Sequence, residues 1–386
     1  MFLNKRLTLI IILFSCAVSY GYETKPLNIF FIVGHFPCRS QTFVLNIITA
    51  LIDMGHNVSI FSFHKNDLLF VHPNIEKYKL LDHVIYEKFP SELPECDIVF
   101  CQFGYLGEKI FRMSKLAQWL STKKVAVCFR GSDITAHIQE DVKMYNRMFK
   151  RADLFLPVCD YFRKKLIALG CDASKIAVYH SAIDCSQFFF EVKQKPKNDI
   201  IRLVSTCRLV KKKGLDHAIR AVADVVKRYP QIHYTIIGDG PEYKYLKSLV
   251  RQLNLQDKVT LCGWKSQDEI VSILNKSHIF LLPSRTAPDG NEEGIPNALK
   301  EAMAMGLITV GSWHAGTPEL IDHGVSGFLV SEKSLFDLTY TIQHIIDHPG
   351  IWESIGRAAR KKIEDEFETK QCVEKLEKLF YKLLGQ

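Results

Sequence analysis

No C-x-x-C occurs among the 11 cysteines of this chain, and no Cys/His set has zinc-finger spacing. An odd, scattered set does not make a disulfide framework. Most sit in apolar runs, as Cys101, Cys128 and Cys207 do, and are expected to be reduced core thiols packing as small hydrophobes. The uncharged run at residues 7–20 spans about 21 Å as a helix, short of the roughly 30 Å hydrocarbon core, so it does not read as a full transmembrane anchor. No Asp-x-Asp follows a predicted strand to hold a cation, and there is no short-period repeat. Excess charge of one sign is small, +8 from 50 Lys plus Arg against 42 Asp plus Glu. That excludes a nucleic-acid-binding tail and suits an anionic substrate or an anionic membrane surface. With 47% apolar and 24% charged residues, the composition also excludes a disordered chain, a collagen-like fibre and a polytopic membrane protein.

What is present points to two α/β units. At roughly 100–200 residues per domain, 386 residues predict two domains with a packed core each. Lys5 and Arg6 precede the apolar run, and Ala17-Val18-Ser19 offers a small-x-small cleavage site, the pattern of a secretory signal. The other use of such a segment is as an apolar leader that tethers the protein to a membrane. Residues 1–24 are set aside on either reading.

Short apolar runs ending in turns predict strands at 27–33, 58–63, 97–102, 125–130 and 154–159, with helices at 42–55 and 160–169. After a polar linker at 191–199 the alternation restarts. Strands are predicted at 200–207, 233–238, 259–262, 279–283, 308–311 and 327–330, and helices at 214–228, 242–253, 267–275 and 297–305. Two helices close the chain, at 335–348 and at 352–384 with a break near Phe367. This is a doubly wound pattern, given twice. The units fall at 25–190 and 200–367, with a final helix of about 368–386 expected to pack back on the first. Ligands of open α/β sheets sit at the carboxyl ends of strands, so the site is expected in the cleft between the two sheets.

Two segments carry chemistry. The first runs from Glu293 through Gly294, Ile295, Pro296 and Asn297 to Glu301, a loop opening a helix with Pro296 in its first turn. Such a helix N-terminus accepts a phosphate or diphosphate. Glu301 can accept hydrogen bonds from a ribose diol, and Glu293 can reach a sugar hydroxyl. Eight helical residues put the two glutamates about 12 Å apart, beyond the roughly 5–9.5 Å of glycosidase carboxyl pairs. The second segment is Arg208 through Lys213 and Gly214, a basic loop between strand and helix. Arg208 and Lys213 suit phosphate oxygens, whereas Lys211 and Lys212 read as solvated.

These segments together resemble the retaining glycosyltransferases of family 4, also called group 1. Gly238-Asp239-Gly240-Pro241, Gly263-Trp264, Pro283-Ser284 and Gly316-Thr317-Pro318-Glu319 match as well. In the first half, His35-Phe36-Pro37, Ser40 to Phe43, Gly55-His56-x-Val58 and Phe129 to Ile134 are similar to the bacterial exopolysaccharide and colanic-acid branch. The resemblance covers residues 28–384. It implies a GT-B fold, two facing Rossmann-like domains, and a hexosyltransferase taking its sugar from a UDP-, GDP- or ADP-sugar. It implies no cofactor and no obligatory metal. Glu293, Arg208, Lys213 and Arg130 carry over as catalytic candidates; Glu301, Gly294, Ile295, Pro296, Asn297 and Gly238 as donor contacts; His35, Ser40, Thr42 and Asp133 as acceptor-side candidates. One position departs from the pattern: the family commonly has a His where Arg130 stands, and arginine does not titrate near neutral pH.

The implied acceptor is a glycan or a polyprenyl-linked glycan in surface-polysaccharide assembly. The basic stretch from Lys143 to Lys165, laced with Met144, Tyr145, Met148, Phe149 and Phe162, fits peripheral contact with an anionic bilayer or a solvated face with a normal buried side. A cytosolic donor and the cysteine content argue for the cytoplasmic face of a membrane, and the leader for export. The rival function is a non-catalytic, exported α/β protein that binds sugar or nucleotide. The leader and Arg130 support it, whereas Arg208, Lys213, Glu293 and Glu301 support the enzyme.

Overall fold

A computed structural model describes residues 25–386 apart from 39–40, 66–71, 90–92 and 198–199. The leader and Ser40 lie outside the described residues, as does the question of cleavage. No helix among the described residues is long and apolar enough to cross a membrane. Every cysteine among them is free.

Two six-stranded parallel sheets organise the chain. The first holds β1 (Asn28–Phe36), β2 (Asn57–Lys65), β3 (Val84–Tyr86), β4 (Ile98–Cys101), β5 (Lys124–Phe129) and β6 (Leu154–Pro157). The second holds β7 (Ile201–Thr206), β8 (Ile232–Ile237), β9 (Val259–Leu261), β10 (Ile279–Leu281), β11 (Ile308–Ser312) and β12 (Phe328–Val330). Their orders, β3-β2-β1-β4-β5-β6 and β12-β11-β10-β7-β8-β9, are the same doubly wound order read from opposite edges. The central strands are unbroken apolar runs because helices cover both faces: Ile29 to Val33 are each 1% exposed or less.

The observed elements differ from the expected ones in places. β1 runs on to Phe36 because β2 is equally long and pairs with it through His35↔His64 and Phe36↔Lys65. β3 and the helices Gly104–Arg112 and Ser114–Ser121 were not predicted. Glycines at 104 and 107 depress helical propensity, and here they let the helix lie against the Phe129 ring and Val127. The polar linker is pinned to the second lobe, with Lys193 Nζ on the Asn275 carbonyl (2.7 Å) and Lys195 Nζ on that of Ile346 (2.8 Å).

The C-terminal segment crosses between lobes. The Trp352–Glu366 helix packs on the second lobe, and the chain then pairs with Ile183 at Glu368. The Thr369–Leu384 helix buries Cys372, Val373, Leu376 and Phe380 in the core of the first. Phe380 meets Phe100 edge-on at 5.3 Å. Burying one such side chain stabilises by roughly 1.5–3 kcal/mol, so four of them tie the lobes together through the tail.

Candidate active site

Contacts between the lobes come from residues just past strand ends. From the first lobe these include the segments after β1, β5 and β6; from the second, those after β9, β10 and β11. Gly294 is one close approach: a Cβ there would lie 2.7 Å from Val158 Cγ2 and 3.0 Å from the Arg130 carbonyl. Glu292 binds Lys165 Nζ (2.5 Å) and accepts from the Tyr161 hydroxyl (3.2 Å). Glu319 accepts the amides of Asp160 (2.8 Å) and Tyr161 (3.0 Å), capping the Asp160–Ala168 helix from across the cleft. A carboxylate at that end also meets the positive end of the helix dipole.

At the centre lies Glu293, 7% exposed. Its Oε1 pairs with Lys213 Nζ at 3.0 Å and Lys212 Nζ at 3.2 Å. Burial alone would raise its carboxyl, but the two ammonium groups outweigh it and hold the pKa at about 2. Lys212 corrects the sequence reading. Its side chain is largely enclosed, 12% exposed, rather than solvated, and it donates further to Asn291 Oδ1 (3.0 Å) and the Glu292 carbonyl (3.1 Å). Burial pulls its pKa below the usual lysine value. Lys211 is exposed, as is Arg208. The periodicity of a lysine run cannot separate these cases; the fold does, by turning residues 211–213 through a 3₁₀ turn.

The helix after this loop begins at Asn297, with Pro296 as its extended flanking residue rather than in its first turn, and no side chain caps that end. Ile295 is 7% exposed. Glu301 and Asn297 line a small interlobe pocket with Thr42 and Gln267. Burial lifts the Glu301 carboxyl to about 7 against the opposing charge of Lys300. Lys300 is fully buried; burial lowers it to about 7, and it donates to the Ser181 carbonyl and to Asn297 Oδ1 (3.1 Å). Gly238 follows β8 with φ +134°, where a Cβ would strike the Cys207 carbonyl at 1.9 Å; it shapes the loop beside Arg208.

On the first lobe, the Arg130 guanidinium is committed locally. It donates to the Gln102 carbonyl (3.2 Å), Gln102 Oε1 (2.7 Å) and Ser181 Oγ (2.6 Å), and lies 4.3 Å from the centre of the Phe43 ring. Asp133 is 0% exposed and accepts the amides of Gly104, Arg130 and Gly131. Its carboxylate organises this loop rather than facing an acceptor. Burial raises its pKa despite those amides. His35 is exposed and stacks on His64, 4.8 Å between ring centres. With Thr42 it lines an interlobe cavity of about 130 Å³, closed on the other side by Trp264, Lys265 and Gln267. In the basic stretch, Tyr145, Met148, Phe149 and Phe162 are buried in the core. Met144 is half-buried, and Lys143, Arg147, Lys150 and Lys164 form an exposed charged face.

Sequence reasoning missed Lys212, Glu292 and His314, whose Nε2 accepts the Glu293 amide at 3.1 Å. Glu292 and His314 do follow predicted strands, the one signal that pointed to them.

Comparisons with known proteins bear on the family and the fold. The model of the group 1 glycosyl transferases matches residues 186–362. The amylovoran biosynthesis glycosyltransferase AmsK of Erwinia amylovora is 34% identical over 90% of this chain and 99% of its own length. A putative colanic acid biosynthesis glycosyltransferase, WcaL of Salmonella typhimurium, is 31% identical over 88% and 96%. Among solved structures, Anabaena HepE in complex with UDP and glucose superposes with a TM-score of 0.72 at 19% identity, covering 92% of this chain and all of that one. Sucrose-phosphate synthase of Thermosynechococcus elongatus gives 0.74 at 15% identity, covering 93% and 100%. The chain belongs to the group 1 glycosyltransferases and has their GT-B fold.

Proposed function

We propose that this glycosyltransferase moves a hexose from a nucleotide-sugar donor to a glycan or lipid-linked acceptor in exopolysaccharide assembly, with retention at the anomeric carbon. The observation that carries the reading is the buried Glu293 between Lys212 and Lys213, set beside exposed Arg208 and the uncapped Asn297–Ala304 helix. In transfer, the anomeric C1–O bond to the diphosphate breaks as the acceptor hydroxyl oxygen bonds C1 from the same face, negative charge grows on the departing diphosphate, and the hydroxyl proton passes to its leaving oxygen. Arg208, Lys213 and the helix end supply fixed positive charge for it, already in place before the reaction. Glu293 holds Lys213 and offers its other oxygen to a sugar hydroxyl. Glu301 meets the ribose, and the cavity by His35 and Thr42 receives the acceptor.

The amylovoran and colanic acid relatives support a polysaccharide product, and the UDP and glucose in HepE support a UDP-sugar over GDP- or ADP-sugars. The cytoplasmic side of the membrane, where nucleotide sugars are made, is the compartment this chemistry requires. The test is a panel of UDP-, GDP- and ADP-sugars read by thermal shift and nucleotide release, with the anomer of the product assigned by NMR. No stabilisation and no release from any donor would defeat the reading; an inverted anomer would defeat retention.

A further inference from the structure

A hydrogen-bonded chain runs behind Glu293 and joins three strand-end loops of the second lobe. His314, just past β11, is 3% exposed. Its Nε2 accepts the Glu293 amide at 3.1 Å, so the ring proton sits on Nδ1 and is donated to Glu332 Oε2 at 3.0 Å. Glu332, just past β12, uses Oε1 to accept the Thr286 amide at 2.7 Å. Burial would raise the Glu332 carboxyl, but the Thr286 amide and His314 hold it below the usual carboxylate range. The main chain of His314 also accepts the Thr317 amide at 3.0 Å, starting the turn that delivers Glu319 to the other lobe.

Glu293 is thus gripped twice. Its carboxylate is held by Lys212 and Lys213, and its peptide by His314. The first grip fixes charge but leaves the backbone free to rotate; the second removes that freedom. We propose that His314, oriented by Glu332, is a positioning residue that fixes the Glu293 peptide, and with it the Gly294–Asn297 turn, against the donor. This rests on the reading that Glu293 contacts the donor sugar.

Three variants of the full chain, His314→Phe, His314→Gln and Glu332→Gln, test it beside Glu293→Gln. The probe is nucleoside diphosphate released from a mixture of UDP-glucose, UDP-galactose, GDP-mannose and ADP-glucose, read as apparent kcat and KM. Amide hydrogen exchange of the peptide spanning residues 291–296 and the melting temperature accompany it. The phenylalanine keeps the ring but orphans the Glu293 amide. It is expected to lower kcat by about 10²-fold, the scale of a 1 Å misplacement, with KM within about threefold. Exchange at 291–296 should speed up. In His314→Gln the side-chain amide oxygen stands near the Nε2 position, so kcat and protection should largely return; Glu332→Gln should fall between.

Wild-type kcat and exchange in His314→Phe would overturn the proposal. So would equal losses in the Phe and Gln variants that track melting temperature, since packing alone would explain those. If Glu293→Gln is fully active, the reading of Glu293 fails instead. If the wild type releases nothing from the mixture, the functional reading fails, and unchanged exchange in His314→Phe would sink the positioning role by itself.

Discussion

Replacing Lys212 with methionine keeps the aliphatic stem and removes the charge, so it isolates what the ammonium does. Three contacts go: the ion pair with Glu293 at 3.2 Å and the bonds to Asn291 Oδ1 at 3.0 Å and the Glu292 carbonyl at 3.1 Å. A hydrogen bond to a charged group contributes about 1.5–3 kcal/mol, but desolvating the lysine offsets much of the sum, and Lys213 still serves Glu293. A net loss of about 2 kcal/mol is therefore expected, which lowers the melting temperature of a lobe this size by roughly 4–8 °C. Turnover should drop by about ten- to a hundredfold, because the 291–293 loop loses the clasp that places Glu293. Lys211→Met is the control: its exposed side chain should shift stability by less than about 0.5 kcal/mol and leave turnover within twofold. Calorimetry and donor turnover on both variants decide the matter. If Lys212→Met matches Lys211→Met in both, the loop acts through summed charge, and the residue-level account is wrong.

Arg208→Ala and Lys213→Ala should each cost about 10²–10³ in turnover, and Arg208→Lys should recover only part of it, since a point charge does not reproduce a two-pronged fork. Glu301, with a folded pKa of about 7 raised from 4.5, favours the fold fully below pH 4.5, and that contribution is lost as pH climbs through 7. If ribose binds its carboxylate, donor KM should fall over the same rise while Lys300, also near 7, loses its proton; Glu301→Gln should flatten the KM profile, and an unchanged profile would remove Glu301 from the donor site. Glu293 runs the other way: with its pKa depressed to about 2, its stabilising pairs, worth about 3 kcal/mol by the shift, persist above pH 4.5 and decay toward pH 2. Acid titration of Glu293→Gln should lack that limb of the wild-type unfolding curve. Dialysis against a chelator should leave turnover intact, because the leaving diphosphate is met by fixed cationic side chains; recovery of lost activity by Mn²⁺ would contradict that.

How legible the molecule was follows from what a periodicity can encode. Strands buried on both faces announce themselves as apolar runs, which is why β5, β6, β7 and β8 stand within a residue or two of the expected spans. β3 has three residues, each only half-buried, so it carries no run to read. The same limit governs the site. Glu293 and Glu301 were visible because a Gly-x-Pro-Asn turn and a helix period separate them in one segment. Lys212 looked identical to Lys211 because solvation is decided by a partner 81 residues away in sequence, and no local pattern reports which of three adjacent lysines turns inward. Asp133 looked like a ligand contact for the opposite reason: a carboxylate after a strand reads the same whether it faces a cleft or, as here, gathers three amides beneath one. Glu292 next to Glu293 makes the point most sharply. Adjacent, identical side chains diverge, one to Lys165 and Tyr161 of the first lobe and the other to Lys212 and Lys213 of its own. The first ties the loop to the other lobe and the second sets the charge in the cleft, so the interlobe contact and the buried ion pair stand one peptide bond apart. That divergence is a property of the assembled cleft, and only the assembled cleft displays it.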